Sequence, residues 1–232
     1  MSIDVVAGLL LIVVPVAFNL AFFELGRAFD YPNILRESPD TILRKFDAGS
    51  SGLILRWEAL LLSALAMLPL VAVTAVAIGA SPALSVAAVV VGSAAALVQV
   101  LGLVRWPFAV PELARRYVAA DGPDAAAIRV QVEVIFGTLH RLLGVGIGEH
   151  LGYLLTGVWT LLVGASIVTT SGLPVWLGGI GGLIGIALML GSLEFVGPNE
   201  RDGWAFAETL VPIAYIAWSV WLIAIGIGLL LP

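Results

Sequence analysis

Two adjacent side chains that could carry chemistry, Glu149 and His150, stand at the start of a long apolar stretch, in the segment GVGIGEHLGYLLTG (144–157). Carboxylates and imidazoles transfer protons and bind metals in proteins. Successive helical residues point about 100° apart, which disfavours a direct acid–base pair here. Glu149, Tyr153 and Thr156 instead follow the i, i+4, i+7 spacing of one helical face. We expect that face to point into a helical bundle.

Further polar and aromatic side chains near the ends of apolar stretches complete a candidate cluster that either binds a ligand or fastens helices together. A charged group in hydrocarbon costs roughly 2.5–3.5 kcal/mol on insertion scales, so it normally finds a partner. The cations available to Glu149 are Arg56 and Arg105. An Arg–Glu–Tyr clamp, a pocket for a lipid head group, small anion or proton, and snorkelling without contact are the alternatives. The candidate cluster comprises Glu149, His150, Tyr153, Arg105, Trp106, Arg56, Glu58, Asp30 and Tyr31.

The two histidines of the chain, His140 and His150, are candidate ligands of haem or a metal. A site made of both histidines and Glu149 would suit zinc or iron. They lie on different predicted elements, however, and hydrogen-bonded or interfacial histidines are the favoured interpretation. The sequence requires no cofactor, and haem stays an open alternative.

The composition shows which environment must position these residues. Of the 232 residues, 60% are hydrophobic and 12% charged, and the mean hydropathy is +1.08. Soluble proteins are about 45–50% apolar and 25% charged. The absence of cysteine excludes disulfides and thiolate metal sites, and nothing in the charge pattern suggests nucleic acid. We expect one integral membrane domain over residues 1–232.

Apolar runs long enough to cross a bilayer recur along the chain, and each reads as a helix because it is continuous rather than alternating in polarity. The predicted fold class is all-α, a polytopic transmembrane helical bundle of about six spans. The predicted spans are 5–23, 54–78, 83–106, 147–168, 174–195 and 207–231.

The basic residues predict the orientation, because Lys and Arg in short loops are retained on the cytoplasmic side. They surround alternate connections: Arg27, Arg36, Arg44, Lys45 and Arg56 the first, Arg105, Arg115, Arg116, Arg129 and Arg141 the third, and Arg201 the fifth. The minimal turns GASPA (79–83) and TTSGLP (169–174) lie on the other side. We therefore expect a bacterial plasma (inner) membrane protein with both termini extracytoplasmic.

Two cytoplasmic connections contain sequences typical of short interfacial helices. In the first, Ser38 suits an N-cap, Pro39 the first helical position and Gly49 a stop. In the second, residues 124–143 form an amphipathic pattern. Its predicted apolar stripe is Ile128, Val132, Ile135, Leu139 and Leu142.

Glycines four residues apart predict close contacts between helices. Gly144, Gly148 and Gly152 form a ridge beside the Glu149 face, and a second set, Gly178, Gly181, Gly182 and Gly185, lies in the fifth span. Such faces also suit association with a membrane-protein partner or with a second copy of the chain. Membrane lipids are the other expected partners.

Four sequence blocks in order, AFFELGRAFDYPNIL, VQVLGLVRWPFAVPELA, GVGIGEHLGYLLTGVWT and WSVWLIAIGIGLLL, carry a family resemblance. The chain resembles a bacterial multi-pass membrane family of unknown function, domain-of-unknown-function family 4386. The resemblance implies a small helical membrane protein and supplies no activity. It also implies that Asp30, Tyr31, Pro32, Arg105, Trp106, Pro111, Glu149, His150 and Tyr153 are hallmark positions.

These observations favour a non-enzymatic membrane protein, since serine-nucleophile motifs, phosphate-binding loops and paired hydrolase acids do not occur. We expect it to bind a lipid-like ligand or to associate with a larger membrane complex. The alternatives are a small transporter that uses an inner-leaflet polar pocket and a haem- or metal-binding redox protein.

Overall fold

The computed structural model describes residues 2–170 and 172–231, and it contains no strand in these ranges. Ser171, in the predicted turn TTSGLP, lies outside the described residues. The helices in order are α1 (Ile3–Phe29), α2 (Pro39–Leu65), α3 (Met67–Ile78), α4 (Pro82–Leu103), α5 (Arg105–Phe108), α6 (Val110–Ala119), α7 (Ala125–Leu139), the π segment (His140–Leu151), α8 (Gly152–Thr169), α9 (Val175–Gly191) and α10 (Ala205–Leu230), with short 3₁₀ turns at Asn33–Arg36 and Gly197–Asn199. The predicted all-α fold class is confirmed.

Five helical stretches in the described ranges are long and apolar enough to cross a membrane, and α9 adds an apolar helix of 17 residues. The long stretches are Ile3–Phe29, Pro39–Ile78, Pro82–Ala119, Ala125–Thr169 and Ala205–Leu230. Together they agree with a helical membrane protein of about six spans.

Several helices extend beyond the predicted spans. The longest stretch has 45 residues, and at about 1.5 Å per residue it reaches roughly 65 Å, against a hydrocarbon core about 30 Å thick. In α2, the Ser38 hydroxyl accepts a bond from the Thr41 amide at 3.3 Å, so the predicted N-cap is present. Ser50 has a non-helical backbone conformation, directly after the predicted stop at Gly49. The helix resumes there and continues into the span.

The interfacial helix expected at 124–143 is not a separate element. It continues as α7 into the π segment and α8, because the glycine ridge that follows packs against α4 and keeps the chain helical. The predicted apolar stripe is only partly buried: Val132 lies in the core together with Phe136, whereas Ile135 and Leu142 are exposed. The polar neighbours determine this rotation, since Glu133 contacts the Tyr117 hydroxyl of α6 at 2.7 Å.

The bundle has two hydrophobic cores. The first gathers aliphatic residues with Trp159, Trp218 and Trp221 from the spans. The second is rich in aromatic residues and lies where the end of α1 meets α2, α5, α6 and α7. These elements also carry most of the basic residues. The polar candidates of the sequence lie between or beside these two cores.

Small residues and cross-helix hydrogen bonds join the spans. Gly157 of α8 lies against the Gly185 carbonyl of α9, and Gly164 lies against that of Gly178. Such contacts need small residues because lipid supplies no hydrophobic drive between helices. Polar bonds between helices are Asn19 to Ser219 at 2.9 Å, Gln99 to Thr156 at 3.0 Å and Trp218 to Thr160 at 2.9 Å.

Candidate functional site

A cavity of about 160 Å³ lies between the π segment and the end of α9. Side chains able to bind a ligand line it: Arg141, Glu149, His150, Tyr153, Glu194 and Phe195. Sites that enclose a whole drug-sized ligand typically measure about 300–1,000 Å³. This cavity therefore suits a small group or the head of a larger molecule.

The π segment positions one wall of the cavity. Its i→i+5 hydrogen bonds make the helix wider than an α-helix, a geometry that often occurs at functional sites. Glycines accommodate this wide turn at a crowded contact: a Cβ on Gly148 would lie 3.1 Å from Gly102 Cα, and one on Gly144 would lie 2.5 Å from Arg105 Nη2. The glycine ridge thus faces α4, and Glu149 and His150 line the cavity.

His150 links the π segment to the end of α9 on the other side of the cavity. Its Nδ1 lies 2.7 Å from the carbonyl oxygen of Ser192, just after α9. A carbonyl only accepts hydrogen bonds, so Nδ1 carries the hydrogen in this contact. The ring orientation is fixed as a result.

Ion pairs hold two charged side chains of the cavity wall, Glu194 and Arg141. Arg36 bridges two carboxylates, with 3.0 Å to Glu194 and 3.2 Å to Glu208. Arg141 pairs with the Glu200 carboxylate at 2.8 Å and also donates to the Glu200 carbonyl. Burial raises the pKa of Glu194, and the Arg36 charge opposes that rise. The Arg36 contact joins the chain across 158 positions.

Glu149 is the unpartnered acid of the cavity. Within the described residues it forms no hydrogen bond and no ion pair of 4.0 Å or less. The Arg105 guanidinium exerts the largest influence of any charged group on it, followed by Glu194. Its carboxylate therefore faces a cation at longer range and keeps its hydrogen-bonding capacity for the cavity.

Arg105 is buried on the other side of Glu149, with 5% of its surface exposed. One guanidinium nitrogen donates to the Gly102 carbonyl, and Cζ lies 5.1 Å from the Trp106 ring centroid. Its Nε has no hydrogen-bond partner in the described part of the chain. Such a buried cation is expensive unless a carboxylate balances it, and Glu149 is in range to do so.

Three tyrosines approach this charged pair. Tyr153 and Tyr215 contact edge to face at 5.3 Å, and Tyr31 contacts Trp57 at 5.0 Å. Burial, followed by the negative charge of Glu149, raises the pKa of the Tyr31 phenol above its usual value. Tyr31 is thus a neutral hydroxyl near the pair.

The structure separates the candidate cluster of the sequence into parts. Glu149, His150 and Tyr153 line the cavity, and Arg105 and Tyr31 lie within electrostatic range of Glu149. The remaining members lie elsewhere.

Trp106 belongs to the aromatic core, and Glu58 is not part of the cavity wall. Arg56 donates to the Gly52 carbonyl and lies 3.8 Å from Glu24. Asp30 caps the end of α1 and accepts a hydrogen bond from Asn33.

Polar cavity residues that were not singled out as candidates are Arg141, Ser192 and Glu194, and Arg36 pairs with Glu194 from outside the cavity wall. For the charged residues among them, a position next to an apolar run was the available signal. No local pattern pairs residues as distant as Arg36 and Glu194, so their association needs the folded chain.

The histidines do not share a site. His140 stacks on Phe136 at 5.7 Å, and its buried Nδ1 has no partner among the described residues. His150 bonds to Ser192. The described ranges contain no group of three or more His, Asp or Glu side chains arranged to hold a metal.

Comparison with known proteins identifies one matching protein family. Residues 6–226 match the model of a protein family described as "Domain of unknown function (DUF4386)". No curated protein and no solved structure matches the chain. The matched range includes all of the cavity wall, and it confirms the resemblance drawn from the four sequence blocks.

Proposed function

The chain belongs to the DUF4386 family, and from this premise and the charged cavity we propose that it is a non-enzymatic membrane protein that binds a lipid-like ligand by its head group. The observation that carries the proposal is the Glu149 carboxylate, which lines the cavity without a hydrogen-bond or ion-pair partner in the described residues. Acids within membrane proteins normally have a direct hydrogen-bond or ion-pair partner. Arg105 balances Glu149 only at longer range, so a ligand in the cavity would supply the direct contact.

The surroundings of the cavity support a lipid rather than a fully soluble ligand. Exposed apolar side chains belong to the wall or adjoin its residues along the chain, namely Val196 of the wall and Leu142, Leu190 and Leu193. A polar cavity bordered by apolar surface matches the shape of a lipid, with a head group inside and acyl chains outside. Arg141, whose side chain is 43% exposed, is at the rim, where a phosphate would pass.

Lipid analysis of the purified protein tests this proposal. We expect one lipid class to co-purify in mild detergent above its share in the membrane. Glu149→Gln should keep the shape of the side chain, remain folded and lose most of this enrichment. The exposed Glu37 provides a matched control, since Glu37→Gln removes the same charge outside the cavity.

Two results would contradict the proposal. One is a lipid composition equal to that of the bulk membrane in both wild type and Glu149→Gln. The other is a Soret band in the absorption spectrum of the protein purified from its native membrane, which would favour the redox alternative. Substrate uptake that depends on Glu149 would favour the small transporter.

For the orientation we propose the bacterial plasma membrane, with both termini and the α3–α4 turn outside. The absence of native cysteine makes any introduced thiol unique. Ser2→Cys and Ser81→Cys should react with an impermeant thiol reagent added to intact cells, because basic residues surround only the opposite connections. Asp121→Cys, at an exposed position in the α6–α7 connection, should react only after the cells are opened. Labelling of Ser81→Cys solely in opened cells would reverse the proposed orientation.

A further inference from the structure

The charged groups of the cavity wall differ in whether they have an ion-pair partner within the protein. Arg141 is held by Glu200, and Glu194 Oε1 is held by Arg36. Glu149 alone among these charged groups has no such partner in the described residues. The Arg141 cation of the wall is paired, whereas Glu149 has Arg105 only at longer range and no direct contact, so the wall favours a positively charged ligand group.

The tautomer of His150 provides a further hydrogen-bond acceptor in the cavity wall. Because His150 Nδ1 donates to the Ser192 carbonyl, the neutral imidazole keeps its lone pair on Nε2. His150 can therefore accept a further hydrogen bond. Its ring does not offer a second N–H while it is neutral.

The remaining polar atoms of the wall are also acceptors. Glu194 bonds to Arg36 through Oε1, which leaves Oε2, and the Tyr153 hydroxyl can accept as well as donate. A primary ammonium group carries a positive charge and three N–H donors, and it fits a cavity of about 160 Å³. A quaternary ammonium has the charge but no N–H.

We propose that the cavity binds a primary ammonium group, held by Glu149 and His150, with ethanolamine phospholipid as the ligand class. The proposal deepens the function proposed above and rests on it for the lipid part of the ligand. Arg141 is at the rim and its ion pair with Glu200 is exposed, so the pair is weak. The phosphate, two carbons from the ammonium in an ethanolamine head group, replaces Glu200 as the partner of Arg141.

Lipids with identical acyl chains and different head groups test the ammonium. The purified protein is titrated with phosphatidylethanolamine, phosphatidylcholine or phosphatidylglycerol, and free ethanolamine is tested separately. Native mass spectrometry gives apparent affinities, and thermal unfolding gives the stabilisation. We expect phosphatidylethanolamine to bind at least about tenfold more tightly than phosphatidylcholine, since a charge-assisted hydrogen bond contributes enough for one such factor.

Substitutions test which residues cause the preference for phosphatidylethanolamine over phosphatidylcholine. Glu149→Gln should reduce it to about twofold or less, and Glu37→Gln should retain it. If Glu149→Gln fails to fold, His150→Phe serves in its place, because it keeps a ring but removes the Nε2 acceptor and should also weaken the preference. A preference that survives both changes would overturn the proposal.

The titrations with different lipids and with free ethanolamine distinguish the failure of this inference from the failure of the proposed function. Equal binding of phosphatidylethanolamine and phosphatidylcholine, or tighter binding of phosphatidylglycerol, would overturn the ammonium and leave lipid binding intact. Stabilisation by free ethanolamine without binding of the lipid would support the ammonium and contradict the lipid. Binding of none of these molecules would overturn both.

Discussion

Trp106→Ala is expected to lower the free energy of unfolding by about 3–5 kcal/mol, the usual cost of removing a buried tryptophan side chain. Trp106 is 1% exposed. It stacks on Trp57 with ring centroids 4.5 Å apart and an interplanar angle of 7°. Phe29 and Phe46 contact the same ring at 5.7 and 5.9 Å. Alanine would leave a cavity where α1, α2 and α5 meet.

Reversible unfolding in detergent, followed by circular dichroism, measures this loss. Trp176→Ala is the matched control, because Trp176 is 60% exposed, and its free energy of unfolding should change by about 0.5 kcal/mol or less. Equal losses for the two variants would show that the aromatic core does not stabilise the fold as described.

Gly157→Ala is expected to destabilise the protein by about 1–3 kcal/mol, the typical cost of overpacking. A Cβ at Gly157 would lie 2.6 Å from the Gly185 carbonyl oxygen and 3.1 Å from the Met189 amide nitrogen. Both atoms belong to the backbone of α9. Neither can move without shifting the helix, so α8 and α9 would have to separate.

Gly179→Ala in α9 tests whether glycine content or contact causes this effect. A Cβ at Gly179 would meet no atom within 4 Å in the described structure. Alanine there should be neutral or stabilising by up to about 1 kcal/mol, because it favours the helix. A loss of stability at Gly179 as large as that at Gly157 would argue against the close α8–α9 contact. Thermal unfolding of the two variants side by side is sufficient.

The sequence by itself determined the class of the protein and the course of its helices. Hydrocarbon imposes its cost on each residue separately, so long apolar runs identify membrane helices without knowledge of their neighbours. The four blocks of residues likewise identified the family. Local signals also placed Ser38 at the N-cap of α2, and the spacing of Gly144 and Gly148 indicated a close helix contact. The partner of that contact, Gly102 of α4, could not be read from the spacing.

Helix lengths were harder to predict, because packing kept the chain helical beyond the apolar runs. In α7 the polar contacts of Glu133 and the burial of Phe136 determined which face turned inward. The periodicity of hydropathy could not predict these contacts, since it contains no information on which helix packs opposite α7.

Only the tertiary structure decided the composition of the candidate site. The sequence offered Arg56 and Arg105 equally as partners of Glu149, and folding placed Arg56 beside Glu24 and Arg105 within range of Glu149. It also brought Arg36 to Glu194 and Arg141 to Glu200, while Glu149 kept no direct hydrogen-bond or ion-pair partner in the described residues. Coulomb attraction acts through space and has no preferred sequence separation. The pairing of distant charges therefore depends on the packing of the helices that carry them.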